Sequence, residues 1–485
     1  MGSRAEIIYH SGVGTFVVEN FGCRATQADG AAIERQLRER GLQRAWSSQQ
    51  AELVVLNTCT VTAAADRDAR AAIRRIHREN PHCQIVVTGC YAQRAPQEIA
   101  ALRGVSQVIG NSHKHLLAEI ALGESQAFST ISAGIISEGT VSEGGFVPLA
   151  ELNRASRPRP QSPEILVSDI FAHTELRAAP VFEGLGLEGE RTRPNLKIQD
   201  GCDNRCSFCV IPSVRGQSRS LPLAPVVHEI NLLVQAGYRE VVISGINLGR
   251  WGRDFEERRR FEDVVRAILS QTSLEKLRIS SIEPIDWSDA LIAMIAQSPR
   301  IARHAHVPMQ SGSDAVLRRM HRKYRPWHYR EKIEKIRAAV PTAAIGADVM
   351  VGFPGESDAE FEETRRLVEE LPLTYLHVFT YSPRPGTPAA GMCGQVPVSI
   401  ARDRNRVLRE LSAKKKLAFA RGFIGKALPA ITLNTVQAGE EAEFTEALTD
   451  NYLQLRVKGH HEPNRWLKIQ ILAMENGLLR GTRES

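Results

Sequence analysis

The chain has 485 residues, about three times the ~150 of a single domain, so several domains are expected. Its composition, 42% hydrophobic and 24% charged with 36 Gly and 24 Pro, excludes disorder, collagen or coiled coil as whole-chain readings. The formal net charge of +7 would suit a polyanionic partner but proves none on its own.

The first three apolar runs share one shape: a β-branched stretch, a short polar step, then Cys. They are TFVVENFGC ending at Cys23, LVVLNTC ending at Cys59 and QIVVTGC ending at Cys90. Runs of this kind bounded by turn residues read as buried parallel strands. Helical patterns follow near 28–40, 63–79 and 96–103, so residues 1–120 are expected to form a doubly wound α/β domain. Ligands of such sheets bind beyond the strand carboxyl ends, where three Cys could converge.

From 121 to 190 the periodicity fades into GTVSEGGFVP and NRASRPRPQSPE, an expected irregular linker with at most a short strand pair. A second β/α series fills 191–400. Its strands are LKIQ (196–199), EVVISG (240–245), KLRISS (276–281), HAHVPM (304–309), AIGADVMVG (344–352) and YLHVFTY (375–381). Helical patterns separate them near 222–237, 260–271, 287–297, 313–338 and 357–370. Six units are fewer than the eight of a closed barrel, so an open, partial (β/α)6 barrel is expected, with its site at the strand C-terminal ends.

The charge excess is local. Residues 401–426 hold nine basic and two acidic residues, leaving 53 of each sign over the rest of the chain. A basic connecting helix over 401–427 follows, with Lys414, Lys415 and Lys416 either contacting phosphates or lying on a solvated face. Residues 428–485 carry short strand-like runs with six basic and eight acidic residues, which suits a small β-barrel module of the kind that often binds RNA. No apolar run approaches the ~18 residues that span a bilayer, and no signal peptide pattern opens the chain. A cytoplasmic protein without membrane contact is expected. Eight Cys are too few for a disulfide scaffold in 485 residues, so clustered Cys point to metal binding or chemistry.

The sharpest motif is DGCDNRCSFCVIP, with Cys202, Cys206 and Cys209 spaced C-x3-C-x2-C directly after the first strand of the second series. Structural zinc wants four ligands, usually from two knuckles, and no second knuckle follows. Three thiolates on one loop suit a four-iron cluster with one iron left open; zinc and inert thiols are the plainer alternatives. Cys23, Cys59 and Cys90 are too far apart for a local knuckle, yet their identical placement predicts a second three-thiolate site. Buried thiols at strand ends are the competing reading. Cys83 and Cys393 have no such context.

The C-x3-C-x2-C loop resembles that of the radical S-adenosylmethionine enzymes, whose fold is a partial barrel. With the second Cys set and the C-terminal β module, the chain resembles the methylthiotransferases over nearly its whole length. The segments carrying the likeness include NFGCRATQAD, LNTCTVTAAADRDAR, TGCYAQRAPQEI, LKIQDGCDNRCSFCVIPSVRGQSRS, HVPMQSGSDAVLRRMHRKY, ADVMVGFPGE and HVFTYSPRPGTPA. The resemblance implies two [4Fe-4S] clusters and S-adenosyl-L-methionine. Cys202, Cys206 and Cys209 would hold the radical-generating cluster, Cys23, Cys59 and Cys90 the auxiliary one, and residues 428–485 would be a TRAM-like barrel. NTCTVT with the following ADR, Gln27 and VRGQSRS resemble the branch that acts on threonylcarbamoyladenosine of tRNA, although Ala25-Thr26 stands where the family usually has Val-Asn.

The expected reaction is therefore methylthiolation at C2 of N6-threonylcarbamoyladenosine at position 37 of a tRNA anticodon loop. The other branches act on isopentenyladenosine of tRNA or on a ribosomal-protein aspartate, and a non-catalytic iron–sulfur RNA-binding or redox-sensing protein is the rival from another class. At the barrel rim, Gly245, Ser281, Glu283 and Gln310 are candidate cofactor contacts; a tight turn at Gly245 and capping or loop roles at the others compete. Arg215 and Arg219 are candidates for the tRNA backbone or the threonyl carboxylate. The expected partners are tRNA, an electron donor and a sulfur source, for a monomeric protein.

Overall fold

The computed structural model describes residues 14–123, 162–173, 192–439 and 442–484. Of the linker expected over 121–190, residues 124–161 and 174–190 lie outside the described residues.

The N-terminal sheet is built from β1 (Thr15–Asn20), β2 (Gln43–Arg44), β3 (Leu53–Thr58), β4 (Gln84–Gly89), β5 (Val105–Ile109) and β6 (Glu164–Leu166). All neighbours are parallel, in the order β2-β1-β3-β4-β5-β6. The sixth strand comes from the stretch expected to be irregular. Helices α1 (Arg24–Glu39), α2 (Ala63–Glu79), α3 (Cys90–Arg94), α4 (Pro96–Ala100) and α5 (Leu117–Leu122) connect the strands. Successive strand residues point to opposite faces, which decides where the helices go. Val54 and Leu56 pack with Ile73 and Ile76 of α2 on one face. Leu53 and Val55 pack with Ile33 and Leu37 of α1 and Leu117 of α5 on the other. The sheet is thus wound on both sides, as the sequence predicts, and its strand order reverses between β1 and β3, where such folds open a crevice.

The central unit uses β7 (Asn195–Asp200), β8 (Arg219–Ser220), β9 (Glu240–Gly245), β10 (Lys276–Ile279), β11 (His304–His306), β12 (Ala344–Val351) and β13 (Tyr375–Thr380). Its helices are α6 (Ile211–Arg215), α7 (Leu223–Gln235), α8 (Phe261–Gln271), α9 (Asp289–Gln297), α10 (Asp314–Arg319), α11 (Pro326–Ala339) and α12 (Asp358–Glu370). Strands β7, β9 and β10 form one parallel set and β11, β12 and β13 another. Bridges at Leu277↔Ile301 and Ser281↔His306 join the two sets into the expected six-strand open barrel. Strand β8 adds an antiparallel edge to β7.

Alternation again sorts the faces. Leu196, Ile198, Val241, Ile243, Leu277, Ile345, Ala347 and Leu376 pack outward into one large apolar core with the helices. Their alternates, Lys197, Gln199, Arg278, His304, His306, Asp348, Tyr375 and His377, leave the barrel interior polar. The helix expected over 313–338 is broken between α10 and α11, because Pro326 sits in the first turn of α11 and cannot extend a helix that precedes it.

Helix α13 (Val398–Arg421) then packs along the last barrel strand, with the Leu376 N–H donating to Ser412 Oγ at 2.8 Å. A closed five-stranded barrel ends the chain: β14 (Ala427–Gly439), β15 (Ala442–Thr449), β16 (Gln454–Lys458), β17 (Trp466–Glu475) and β18 (Leu478–Arg483). Its β15–β16 turn plugs the floor of the central barrel. There the Arg278 guanidinium, fully buried, donates to Glu240 at 2.6 Å and to the carbonyls of Thr449 and Asp450 at 3.3 and 3.2 Å. The N-terminal domain spans the open seam. Helix α1 reaches β7 through Asn195, which donates to the Arg24 carbonyl at 2.8 Å, and the start of α2 meets the loop after β13, where Ser382 Oγ accepts from Ala63 N–H at 3.1 Å.

Candidate cluster and cofactor site

Each N-terminal Cys stands where a parallel strand hands over to a helix. Cys23 is the N-cap residue of α1, Cys59 follows β3 and Cys90 opens α3. Gly22, at φ 105°, lets Cys59 in: a Cβ there would lie 2.8 Å from Cys59 Sγ. Burial pushes the Cys59 thiol up to about 12, and the neighbouring Cys90 and Cys23 push it the same way. The three thiols thus act on one another at the carboxyl edge of the sheet. Cys90 Sγ accepts from Arg215 Nε at 3.2 Å and from Asn111 Nδ2 at 3.6 Å.

The second set lies on the loop after β7. Gly201, at φ 70°, makes a turn where a Cβ would overlap the Gln217 carbonyl. Cys202 N–H then donates to the Gly216 carbonyl and Cys209 N–H to that of Cys206, both at 3.1 Å. Burial raises the Cys202 and Cys209 thiols, Cys209 to about 12, with Cys206 adding to both. As free thiols these groups stay protonated near neutrality. Coordination to a metal centre is what holds several thiolates together, so both donor sets fit an iron–sulfur cluster. Cys206 Sγ accepts from Arg322 Nη1 at 3.1 Å, and Cys202 Sγ from Asn247 Nδ2 at 3.6 Å and Asn204 N–H at 3.4 Å.

Arg322 lies in the break between α10 and α11, so the interruption of the expected helix delivers a guanidinium to the cluster loop. That guanidinium also pairs with Glu283. Glu283 is therefore held at the rim by an ion pair. Ser281 bridges to His306, Gln310 takes φ 61° beside Val349, and Gly245 packs so close to Gln199 that a Cβ would lie 2.8 Å from Gln199 Oε1. Gln199 in turn donates to the Asp200 and Gly201 carbonyls at 2.9 Å, so Gly245 lets it brace the cluster loop. The buried Ser244 Oγ and Asn247 Oδ1 have no protein partner, which fits a rim built to meet a polar ligand such as S-adenosylmethionine.

Three of the expected RNA contacts turn inward instead. Arg215 is 2% exposed, and its guanidinium donates to Asp200 at 2.9 and 3.0 Å, to Asp29 at 2.9 Å and to Cys90. Arg219 is 9% exposed and donates to the carbonyls of Arg215 at 2.7 Å and His173 at 3.3 Å. Neither presents a surface to tRNA, because the N-terminal domain docks over them. Lys415 is also committed inward: its ammonium donates to the carbonyls of Glu369 at 2.8 Å and Leu371 at 2.9 Å, at the end of α12. Lys414 and Lys416 are exposed.

Around Arg215 lies a buried charge network that no local pattern announces. Lys114 reaches Asp29 at 3.0 Å, and Lys197 pairs with Asp29 and, at 2.6 Å, with Asp200. Burial alone would raise the Asp29 carboxyl, but Lys114, Lys197 and Arg215 hold it well below the usual range. Asp200 is held low in the same way, against its burial, by Arg215 and Lys197.

The barrel interior adds a second group that the sequence did not single out. His306 Nε2 lies 3.0 Å from Asp348 Oδ1, and its ring stacks on His377 at 5.4 Å between centroids. Burial lowers His377, with His306 acting the same way. Period-two alternation in HAH, ADVMV and YLHV was the available signal, since it puts all three on the inner face.

A family model described as Uncharacterized protein family UPF0004 matches residues 15–110, and one described as Radical SAM superfamily matches residues 196–368. The chain is 34% identical to the threonylcarbamoyladenosine tRNA methylthiotransferase MtaB of Aquifex aeolicus, over 93% of this chain and 99% of that protein. It is 33% identical to the protein of the same name from Bacillus subtilis, over 94% of each. Among solved structures, the radical S-adenosylmethionine methyltransferase TsrM of Kitasatospora setae matches with a TM-score of 0.54 at 16% identity, covering 82% of both chains, which is a likeness of fold.

Proposed function

Because this chain belongs to the methylthiotransferase family of radical S-adenosylmethionine enzymes, we propose that it converts N6-threonylcarbamoyladenosine at position 37 of tRNA anticodon loops to its 2-methylthio derivative. Cys202, Cys206 and Cys209 hold the radical-generating [4Fe-4S] cluster, and Cys23, Cys59 and Cys90 the auxiliary cluster. When bound, these groups and S-adenosylmethionine supply the radical that takes the C2 hydrogen, the inserted sulfur and the methyl group placed on it. An aromatic C–H bond offers no easy heterolytic route, which is why such chemistry is needed.

The chain's own part is placement. The loop from Gly201 to Cys209 is held by backbone bonds and by Gln199; Ser244, Gly245, Asn247, Ser281, Glu283 and Gln310 face the cofactor. His306, Asp348 and His377 line the interior wall that meets the base and its N6 substituent. The N-terminal domain closes the seam above them and excludes water, which strengthens every polar contact within. Lys414 and Lys416 engage the RNA backbone. The protein works in the cytoplasm as a monomer, drawing on an external electron donor and sulfur source; among the described residues no helix is long and apolar enough to cross a membrane.

The observation that carries this reading is the joining of both Cys sets at one domain interface, where Arg215 bonds Cys90 on one side and Asp200, two residues before Cys202, on the other. Mass spectrometry of tRNA nucleosides from cells with and without the gene tests it. Loss of 2-methylthio-threonylcarbamoyladenosine alone is expected. Loss of the isopentenyl derivative, or loss of a ribosomal-protein modification with tRNA unchanged, would move the enzyme to another branch. Purified, cluster-loaded protein that cannot cleave S-adenosylmethionine would make it a sensor.

A further inference from the structure

We propose that Arg215 sets the reduction potential of the auxiliary cluster, holding it above the value the same cluster would have without the guanidinium. The inference rests on the reading that Cys23, Cys59 and Cys90 hold that cluster.

The geometry of a buried network supports it. The buried network contains three cations, Lys114, Lys197 and Arg215, and two carboxylates, Asp29 and Asp200. Both carboxylates are shared between cations, so the network fixes the Arg215 guanidinium with its Nε–H directed at Cys90. Each of its members already has a charged partner other than the sulfur.

Reduction adds one electron to the cluster, spread over iron, sulfide and thiolate. A hydrogen bond to a ligating sulfur withdraws electron density and stabilises the reduced form, and a nearby cation does the same electrostatically, the more so where little water screens it. Arg215 supplies both effects, with Nε 3.2 Å from Cys90 Sγ and 2% of the residue exposed. The radical-cluster loop has donors of its own. There Arg322 bonds Cys206 and pairs with Glu283, and Asn247 donates to Cys202. The two clusters therefore have separate tuning residues, and one can be moved without the other.

Arg215 is a positioning and tuning residue that acts through Cys90, so the test reads a potential rather than turnover. Cluster-loaded protein carrying Cys202→Ala, Cys206→Ala and Cys209→Ala has only the auxiliary cluster, and anaerobic redox titration followed by electron paramagnetic resonance gives its potential. Arg215→Lys keeps the charge and removes the Nε–H donor; Arg215→Met removes both. The potential should fall in Arg215→Lys and fall further in Arg215→Met. In the complementary background without Cys23, Cys59 and Cys90, Arg215→Lys should leave the radical cluster's potential unchanged, whereas Arg322→Lys should lower it. An auxiliary potential equal to that of the parent in Arg215→Lys overturns the proposal.

If neither variant keeps its cluster, the unsubstituted auxiliary-only protein labelled with 15N-arginine decides the matter. A hyperfine coupling from arginine nitrogen to the reduced cluster is expected, and its absence overturns the hydrogen bond on which the proposal stands. Parent protein that binds no auxiliary cluster at all would instead remove the underlying reading.

Discussion

Arg384, in the loop after the last barrel strand, donates to Thr60 Oγ1 at 2.8 Å across 324 residues of sequence. The same guanidinium pairs with Asp66, which also receives Arg94 at 3.0 Å. One side chain of the central barrel thus fixes the residue next to Cys59. Replacing Arg384 with Ala should destabilise the docking of the N-terminal domain by about 2 kcal/mol, the scale of a hydrogen bond to a charged group. Hydrogen exchange should show the amides near Cys59 opening more often; unchanged protection there would refute the link.

Gly22→Ala places a methyl group 2.8 Å from Cys59 Sγ on a backbone at φ 105°. Iron and sulfide analysis should fall from about eight to about four iron atoms per chain, with the radical cluster retained. Full iron content would show that Cys59 has room to move aside.

Buried His304 is held well below its ordinary value of 6.5, first by burial and then by Arg278 and His306. A histidine neutral in the fold but protonated when unfolded binds fewer protons in the native state. Stability therefore rises with pH up to about the unfolded value and is lost as pH falls below it, by at most about 1.4 kcal/mol per pH unit. Urea midpoints at pH 5.5 and 7.5 should differ in the parent, and the difference should shrink in His304→Gln.

Lys414→Gln with Lys416→Gln should weaken tRNA binding and flatten the log–log salt dependence by roughly 0.7–0.9 for each phosphate that is no longer neutralised. Lys415→Gln should leave the slope unchanged and loosen the packing of α13 on α12, because its ammonium caps carbonyls. An equal slope change from all three would mean that Lys415 leaves its carbonyls when RNA binds.

His377→Ala removes one member of the interior wall while sparing the rim residues. Methylthiolated product should fall about tenfold, the effect of removing one hydrogen bond of about 1.4 kcal/mol, while 5′-deoxyadenosine formation continues. An unchanged ratio of the two products would take His377 out of contact with the substrate.

The sequence alone determined what local spacing encodes. Alternating apolar runs specify the strands and their buried faces, the position of Cys just past three strand ends specifies where those thiols gather, and C-x3-C-x2-C on one loop needs no distant partner to read. What it left open is everything that depends on which surfaces meet. Arg215 and Arg219 have the composition of RNA contacts, and only the docking of the N-terminal domain turns them inward. Asp29 lies 168 residues from Lys197 and 186 from Arg215, so their pairing leaves no periodic trace. The triple-lysine run is the same case in miniature: its charge is legible, but which of three adjacent side chains faces the α12 carbonyls is settled by the rotation of α13 against the barrel. Burial decides whether a charge seeks water or a partner, and burial is a property of the assembled fold.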